Sequence, residues 1–205
     1  MSVITSQSNS ATSALIESRD IERVRAMLGP MPSPRAWPAL VVLVGPPGSG
    51  KSTLTRAIAE RLPVVMIDGD RIREELFAAP DYSFGESQRV GRAVRALIGE
   101  LLDLRMTVVY DDSNLTEWER QPLYTLANMH NVRLVIVHVT APVGVILDRI
   151  RGLAEASHRE TTPLLELYEQ MVGRYEPIPR PHLTVDTSSD TRQFIEGVIL
   201  DLEEG

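Results

Sequence analysis

The string Gly45-Pro46-Pro47-Gly48-Ser49-Gly50-Lys51-Ser52 sets glycines, a lysine and a hydroxyl at the G-x-x-x-x-G-K-[ST] spacing. The chemistry this serves is phosphate capture. Glycines let successive backbone N–H groups curl around phosphate oxygens, and a helix starting just after the loop adds positive potential from its N-terminus. Lys51 is expected to bridge the β- and γ-phosphates, and the Ser52 hydroxyl to ligate Mg²⁺. The string follows the apolar block Leu40–Val44 and opens a helical pattern at Ser52, with Thr53 in its first turn. That is the strand–loop–helix setting that phosphate capture needs. The ligand this predicts is a nucleoside triphosphate, ATP with Mg²⁺, held by residues 45–53.

A second chemical cluster follows the next apolar block. Val64–Ile67 runs into Asp68-Gly69-Asp70-Arg71-Ile72-Arg73, and ligands gather beyond the carboxyl ends of strands in an open parallel sheet. Asp70 and Arg73 share a helix face at their i, i+3 spacing. A carboxylate placed there can take the proton of an attacking hydroxyl. A neighbouring arginine can hold the acceptor or stabilise the transferred phosphoryl group. The plainer alternative makes one aspartate a helix cap and Arg73 a solvated surface residue. A third block, Thr107–Tyr110, ends in Asp111-Asp112-Ser113-Asn114. Asp111 or Asp112 can reach Mg²⁺ or its water shell, or the segment can be a turn that starts a helix near Thr116. Asn114 can orient the acceptor.

With these residues in view, the chain resembles the kinase domain of polynucleotide 5′-hydroxyl kinases. The phosphate loop is paired with an Asp-x-x-Arg at Asp70 and Arg73, and Asp111-Asp112-Ser113-Asn114 is similar to the Asp-[Ser/Thr]-Asn segment of that family. The string Ile67-Asp68-Gly69-Asp70 with Arg73 also looks like the Asp-Gly-Asp motif of adenylylsulfate kinases; zeta-toxin-like proteins belong to the same circle of relatives. The resemblance covers about residues 40–175. It implies a sheet order of 2-3-1-4-5, Asp70 as general base, Arg73 on the acceptor phosphate with Asp68 and Asn114 nearby, and an arginine-bearing lid. The lid falls around 149–163, where Arg149 is expected on the nucleotide and Arg151 or Arg159 on the transferred group. The family commonly spaces two lid arginines i, i+4, and here Leu153 stands four after Arg149.

These residues require a frame to position them. Apolar blocks of strand length at Leu40–Val44, Val64–Ile67, Thr107–Tyr110, Val132–Val139 and Leu183–Val185 alternate with helical patterns. Strands apolar on both faces predict a parallel sheet covered on both sides. The expected fold is therefore an α/β P-loop NTPase three-layer sandwich with a five-stranded parallel sheet. Residues 1–14 read as a disordered tail, 15–38 as an N-terminal helix with a proline-rich linker, and 39–205 as the kinase domain. Thr116 and Glu119 have capping-box spacing.

Composition narrows the chemistry further. The chain has 205 residues, no cysteine and a net charge of −7. Cysteine nucleophiles, thiolate-bound metals and disulfides are excluded, and a reducing cytoplasm is the expected location. The acidic balance argues against coating nucleic acid by bulk electrostatics, although gripping an end needs only a local groove. The four histidines have no metal-ligand spacing, and no apolar run is long enough to cross a membrane. Tyr82 and Phe84 fall in a loop near the acceptor side, where the rings can stack on a base or simply pack against the core or lid. The function this predicts is transfer of the γ-phosphate of ATP to an acceptor hydroxyl, foremost a 5′-hydroxyl of a nucleic acid or nucleotide. The alternatives are a small-molecule kinase acting on a nucleoside, sugar, antibiotic or adenylylsulfate, and a nucleotide-dependent ATPase or switch. The lack of an Asn-Lys-x-Asp string weakens the guanine-specific form of the switch.

Overall fold

A computed structural model describes residues 3–157 and 161–203, with side chains from residue 15 onward. The elements run α1 (Val3–Ala26), β1 (Ala39–Val44), α2 (Lys51–Ala59), β2 (Val64–Asp68), α3 (Gly69–Leu76), α4 (Phe84–Asp103), β3 (Thr107–Asp111), α5 (Glu117–Met129), β4 (Arg133–Thr140), α6 (Val143–Ala156), α7 (Thr161–Val172), β5 (Leu183–Asp186) and α8 (Arg192–Glu203). The sheet has five strands in the order β2-β3-β1-β4-β5, and every pairing is parallel. This is the predicted order.

The central strand shows why the sheet is buried on both sides. Leu40, Val42 and Val44 point into a core shared with α4 and α5. Ala39, Val41 and Leu43 point into a second core closed by α2 and α8. Side chains alternate across a strand, so a continuous apolar run is stable only when both faces are covered. With both layers filled, all five strands direct their carboxyl ends to one edge.

Helix α1 differs from expectation. The segment 1–14, read as a disordered tail, is helical from Val3 and continuous with the amphipathic stretch after it. No glycine or proline occurs before Gly29, so nothing in the Ser/Thr-rich segment breaks a helix already propagating from its C-terminal half. That half lies across α3 and α4. Val24 enters the core, and buried Asp20 receives Arg89 Nε and Nη2 at 2.6 and 2.7 Å. Arg23 reaches Glu75, and Arg25 reaches Glu100.

At the start of α5 the expected capping box is present. Thr116 Oγ1 accepts from the Glu119 amide at 3.3 Å, and Glu119 returns to the Thr116 amide at 2.9 Å. One turn in, Arg120 is fully buried. Its guanidinium donates to the carbonyls of Asn114 and Leu115 at 3.0 and 2.7 Å. It also donates to those of Glu176 and Pro177, both at 3.0 Å, and it pairs with Glu117. This one side chain ties the loop after β3 to the segment after α7. Among the described residues no helix is long and apolar enough to cross a membrane.

Replacing Arg120 with alanine strands four carbonyls and opens a void. Arg120→Ala is expected to cost roughly 3–5 kcal/mol, read as a lower midpoint in urea unfolding.

Candidate active site

The phosphate loop leaves β1 and turns into α2 through two left-handed glycines, Gly48 at φ 79° and Gly50 at φ 100°. Side chains other than glycine rarely tolerate that region, and a Cβ at Gly50 would come within 2.9 Å of Thr187 Oγ1. Lys51 folds back under the loop, its Nζ donating to the carbonyls of Gly45 and Pro46 at 2.9 and 3.0 Å. The Ser49 amide donates to the Pro46 carbonyl. Ser49 Oγ is buried with no partner among the described residues. Pro47, Ser52 and Thr53 line the open side of the loop.

The ends of β2 and β3 bring carboxylates to this lysine. Burial pulls the Lys51 pKa down, while Asp111, Asp70, Asp112 and Asp68 push it back up. Asp111 is buried beside Ser52 and Lys51. Its pKa is raised by burial, against the opposing influence of the Ser52 hydroxyl and of Lys51. Among the described residues no three His, Cys, Asp or Glu side chains form a ready metal cage. Mg²⁺ seldom needs one, because it takes a few protein oxygens and completes its shell with phosphate and water. The hydroxyl–carboxylate pair Ser52 and Asp111 supplies donors of that type. Asp112 is occupied differently, accepting from Tyr110 Oη at 2.7 Å and from the Ser113 amide at 2.6 Å.

The two aspartates after β2 divide their work. Asp68 caps α3, accepting from the Arg71 amide at 3.1 Å, and also lines the nucleotide cleft. Asp70 stands where two cavities meet. One, of about 680 Å³, runs along the phosphate loop, and the other, of about 210 Å³, lies between α3, α4, α5 and α7. Solvent enters the empty junction, yet protein crowds the carboxylate on its remaining sides. That desolvation, helped by the negative charge of Asp112, raises the Asp70 pKa to about 6. Gly69 makes the arrangement possible, since a Cβ there would fall 2.1 Å from Asp112 Oδ2.

Arg73 is buried, which removes the reading as a solvated surface residue. It pairs with Glu86 at 3.2 Å and lies over the Tyr82 ring at 4.7 Å. Its Nε is buried without a partner among the described residues, and the side chain lines the smaller cavity. Glu86 also gathers the amides of Asp81 and Tyr82. The Ser83-x-x-Glu86 spacing signals this turn in sequence, but the ion pair that it supports bridges two helices. Asn114 lines the same cavity. Its amide nitrogen, however, donates to the carbonyls of Leu43 and Asp112 at 2.8 and 3.3 Å. That bond fastens the loop after β3 to the end of β1.

The lid arginines fare unequally. Arg149 reaches the phosphate loop, donating to the Gly48 carbonyl at 3.2 Å and to Thr187 Oγ1 and O at 2.8 Å each. Arg151 is exposed, pairs with Asp148 at 2.8 Å and lines neither cavity. At an i+2 offset from Arg149 it projects away from that helix face. Arg159 lies outside the described residues. Leu153, four residues after Arg149, lines the nucleotide cleft. Thr187, which holds both Arg149 and the phosphate loop, was not singled out by sequence. Its one signal is its place just past the carboxyl end of β5.

The fold and cleft match known proteins. The AAA_33 family profile, described as an AAA domain, matches residues 40–178. The chain belongs to this family. A curated relative is the L-seryl-tRNA(Sec) kinase of Methanococcus maripaludis, 26% identical over 156 residues, or 73% of this chain. The chain spans 59% of the length of that relative. Among solved structures, APE1195 superposes with a TM-score of 0.68 at 21% identity, covering 84% of this chain and 98% of that one. The APS kinase CysC of Mycobacterium tuberculosis, solved with AMPPNP and APS, superposes with a TM-score of 0.64 at 18% identity, covering 84% and 99%. The fold is that of phosphate-loop kinases.

The crowding of negative charge at Asp70 has a measurable consequence. A carboxylate with a raised pKa in the fold destabilises the protein above about pH 6, and the effect vanishes once both states are protonated. Asp70→Asn is expected to raise the melting temperature of the empty protein by roughly 1–3 °C at pH 8. No gain is expected near the unfolded carboxylate pKa of about 4. Scanning calorimetry at the two pH values checks this.

Proposed function

We propose that this protein is an ATP-dependent kinase in which Asp70 removes the proton from an acceptor hydroxyl as that oxygen attacks the γ-phosphorus. The observation that carries the reading is the place of Asp70. It lines both the phosphate-loop cleft and the inner cavity, as a base between donor and acceptor must. A carboxylate with a pKa of about 6 is ionised at neutral pH, yet basic enough to take a proton in the transition state.

The other residues follow from charge. Loop amides 45–53 and the N-terminus of α2 cradle the triphosphate. Lys51 exchanges its two carbonyl partners for phosphate oxygens, a stronger, charge-assisted bond. Ser52 and Asp111 would hold Mg²⁺, which when bound neutralises charge on the β- and γ-phosphates. Arg149, already against the Gly48 carbonyl, adds positive charge on the lid side. Positioning and preorganised electrostatics then supply most of the rate.

For the acceptor, the reading is a 5′-hydroxyl at the end of a nucleic acid or on a nucleotide. Trp118 and Tyr82 line the inner cavity, and the Phe84 ring packs 5.2 Å from that of Trp118, offering faces on which a base can stack. The L-seryl-tRNA(Sec) kinase among the relatives supports an RNA-borne acceptor. A small-molecule acceptor is the second reading, favoured by the modest cavity of about 210 Å³.

Labelled ATP incubated with 5′-hydroxyl oligonucleotides, nucleosides and sugars tests both readings. Label on an oligonucleotide supports the first, and label confined to a metabolite supports the second. Asp70→Asn is expected to keep ATP binding and lower transfer by about 10²–10⁴-fold, whereas Lys51→Ala damages both. ATP hydrolysis that needs no acceptor and survives Asp70→Asn would point to a switch or ATPase. The transfer rate is expected to fall about tenfold per pH unit below roughly pH 6, as the base form of Asp70 is lost.

A further inference from the structure

The inner cavity holds arginines that proton transfer does not require. Besides Arg73, its wall includes Arg95 from the middle of α4 and Arg174 from the turn after α7. Among the described residues, neither of these two guanidiniums has an ion-pair or hydrogen-bond partner. Arg95 is half-buried, and burial pulls its pKa down. Gly91, one turn earlier on α4, makes room for it: a Cβ there would lie 2.8 Å from Arg95 Nη1.

The carboxylates on the same wall keep their charge but direct their hydrogen bonds away from these two arginines. Glu119 caps α5, Asp81 holds the Ser83 amide, and Asp112 takes the Tyr110 hydroxyl. Asp70 faces the reaction. Arg95, half-buried and drawn only through space by Glu17, keeps its N–H groups free of acceptors among the described residues, and Arg174 offers an exposed guanidinium across the same cavity. Guanidinium geometry matches planar or tetrahedral oxyanions. We infer that the acceptor carries an anionic oxygen group (phosphate, sulfate or carboxylate) held by Arg95 and Arg174, while its hydroxyl meets Asp70. The second clause rests on the kinase reading; the anion seat does not.

The seat can be tested apart from catalysis. Trp118 lines this cavity, and the only other tryptophan is Trp37, so a Trp37→Phe protein reports the site by fluorescence. With the phosphate loop filled by a non-hydrolysable ATP analogue, inorganic sulfate is titrated at constant ionic strength against chloride. A saturable, sulfate-specific change is expected. Its apparent Kd should rise at least tenfold in Arg95→Gln and in Arg174→Gln, with the lysine variants in between and melting curves confirming the fold. No saturable response, or unchanged affinity in both glutamine variants, overturns the seat.

Transfer from labelled ATP to matched acceptors then identifies the source of the anion. The pairs are a nucleoside 3′-monophosphate against its nucleoside, and a sugar acid against its parent sugar. A KM at least tenfold lower for the charged member of either pair supports the seat and names its ligand, and equal KM values for both members overturn it. A sulfate response without transfer to any acceptor sustains the seat and counts against the kinase reading. Transfer that requires Asp70 without a sulfate response does the reverse.

Discussion

A lysine held out of water among four carboxylates governs this structure. Lys51 sits beneath the phosphate loop, and Asp68, Asp70, Asp111 and Asp112 act on it from the ends of two strands. Each group alone would be costly to desolvate. Together they offset one another, and the balance sets the chemistry. Asp111 lies against the Ser52 hydroxyl, and burial with the charge of Asp112 raises the pKa of Asp70 to about 6. The sheet order makes this possible, because β1 lies beside β3 and β3 beside β2, so the three strand ends that supply lysine and acids are neighbours.

Around that centre, the parts that shape the acceptor side come from helices and loops far apart in sequence. Arg73 is fixed by Glu86 across two helices. Arg120 binds the loop after β3 to the segment after α7 with backbone carbonyls alone. Helix α1 braces α4 from outside through Asp20 and Arg89, and α3 through Arg23 and Glu75. The nucleotide side is built differently, from one continuous loop cross-braced by Arg149 and Thr187.

This difference explains what could be read from sequence. The phosphate loop was legible because its chemistry and its backbone lie in one stretch of eight residues. The five strands were legible because burial on both faces leaves continuous apolar runs. That Asp70 and Arg73 stand together on α3 was legible because their i, i+3 spacing after a strand puts them on one helix face. Arg151 misled because a charged residue on a helix shows its type in sequence but not its face, and its face is turned to Asp148. Asn114 was marked for the acceptor, and its amide is occupied by the Leu43 carbonyl, a contact across 71 positions that no local pattern encodes. Thr187, Glu86 and Arg120 went unmarked for the same reason. The segment before Leu15 was misjudged because its Ser/Thr-rich composition masked the absence of any helix breaker.

The sharing of one carboxylate between two chambers also bears on economy. If Asp70 is the base of the proposed kinase, it faces water whenever the inner cavity holds no acceptor, and water is a hydroxyl too. Such a layout guards its fuel only to the extent that a proper guest expels solvent from beside Asp70. On that proposal, the residues that seat the guest would decide both what is phosphorylated and how much nucleotide is spent idly between turnovers.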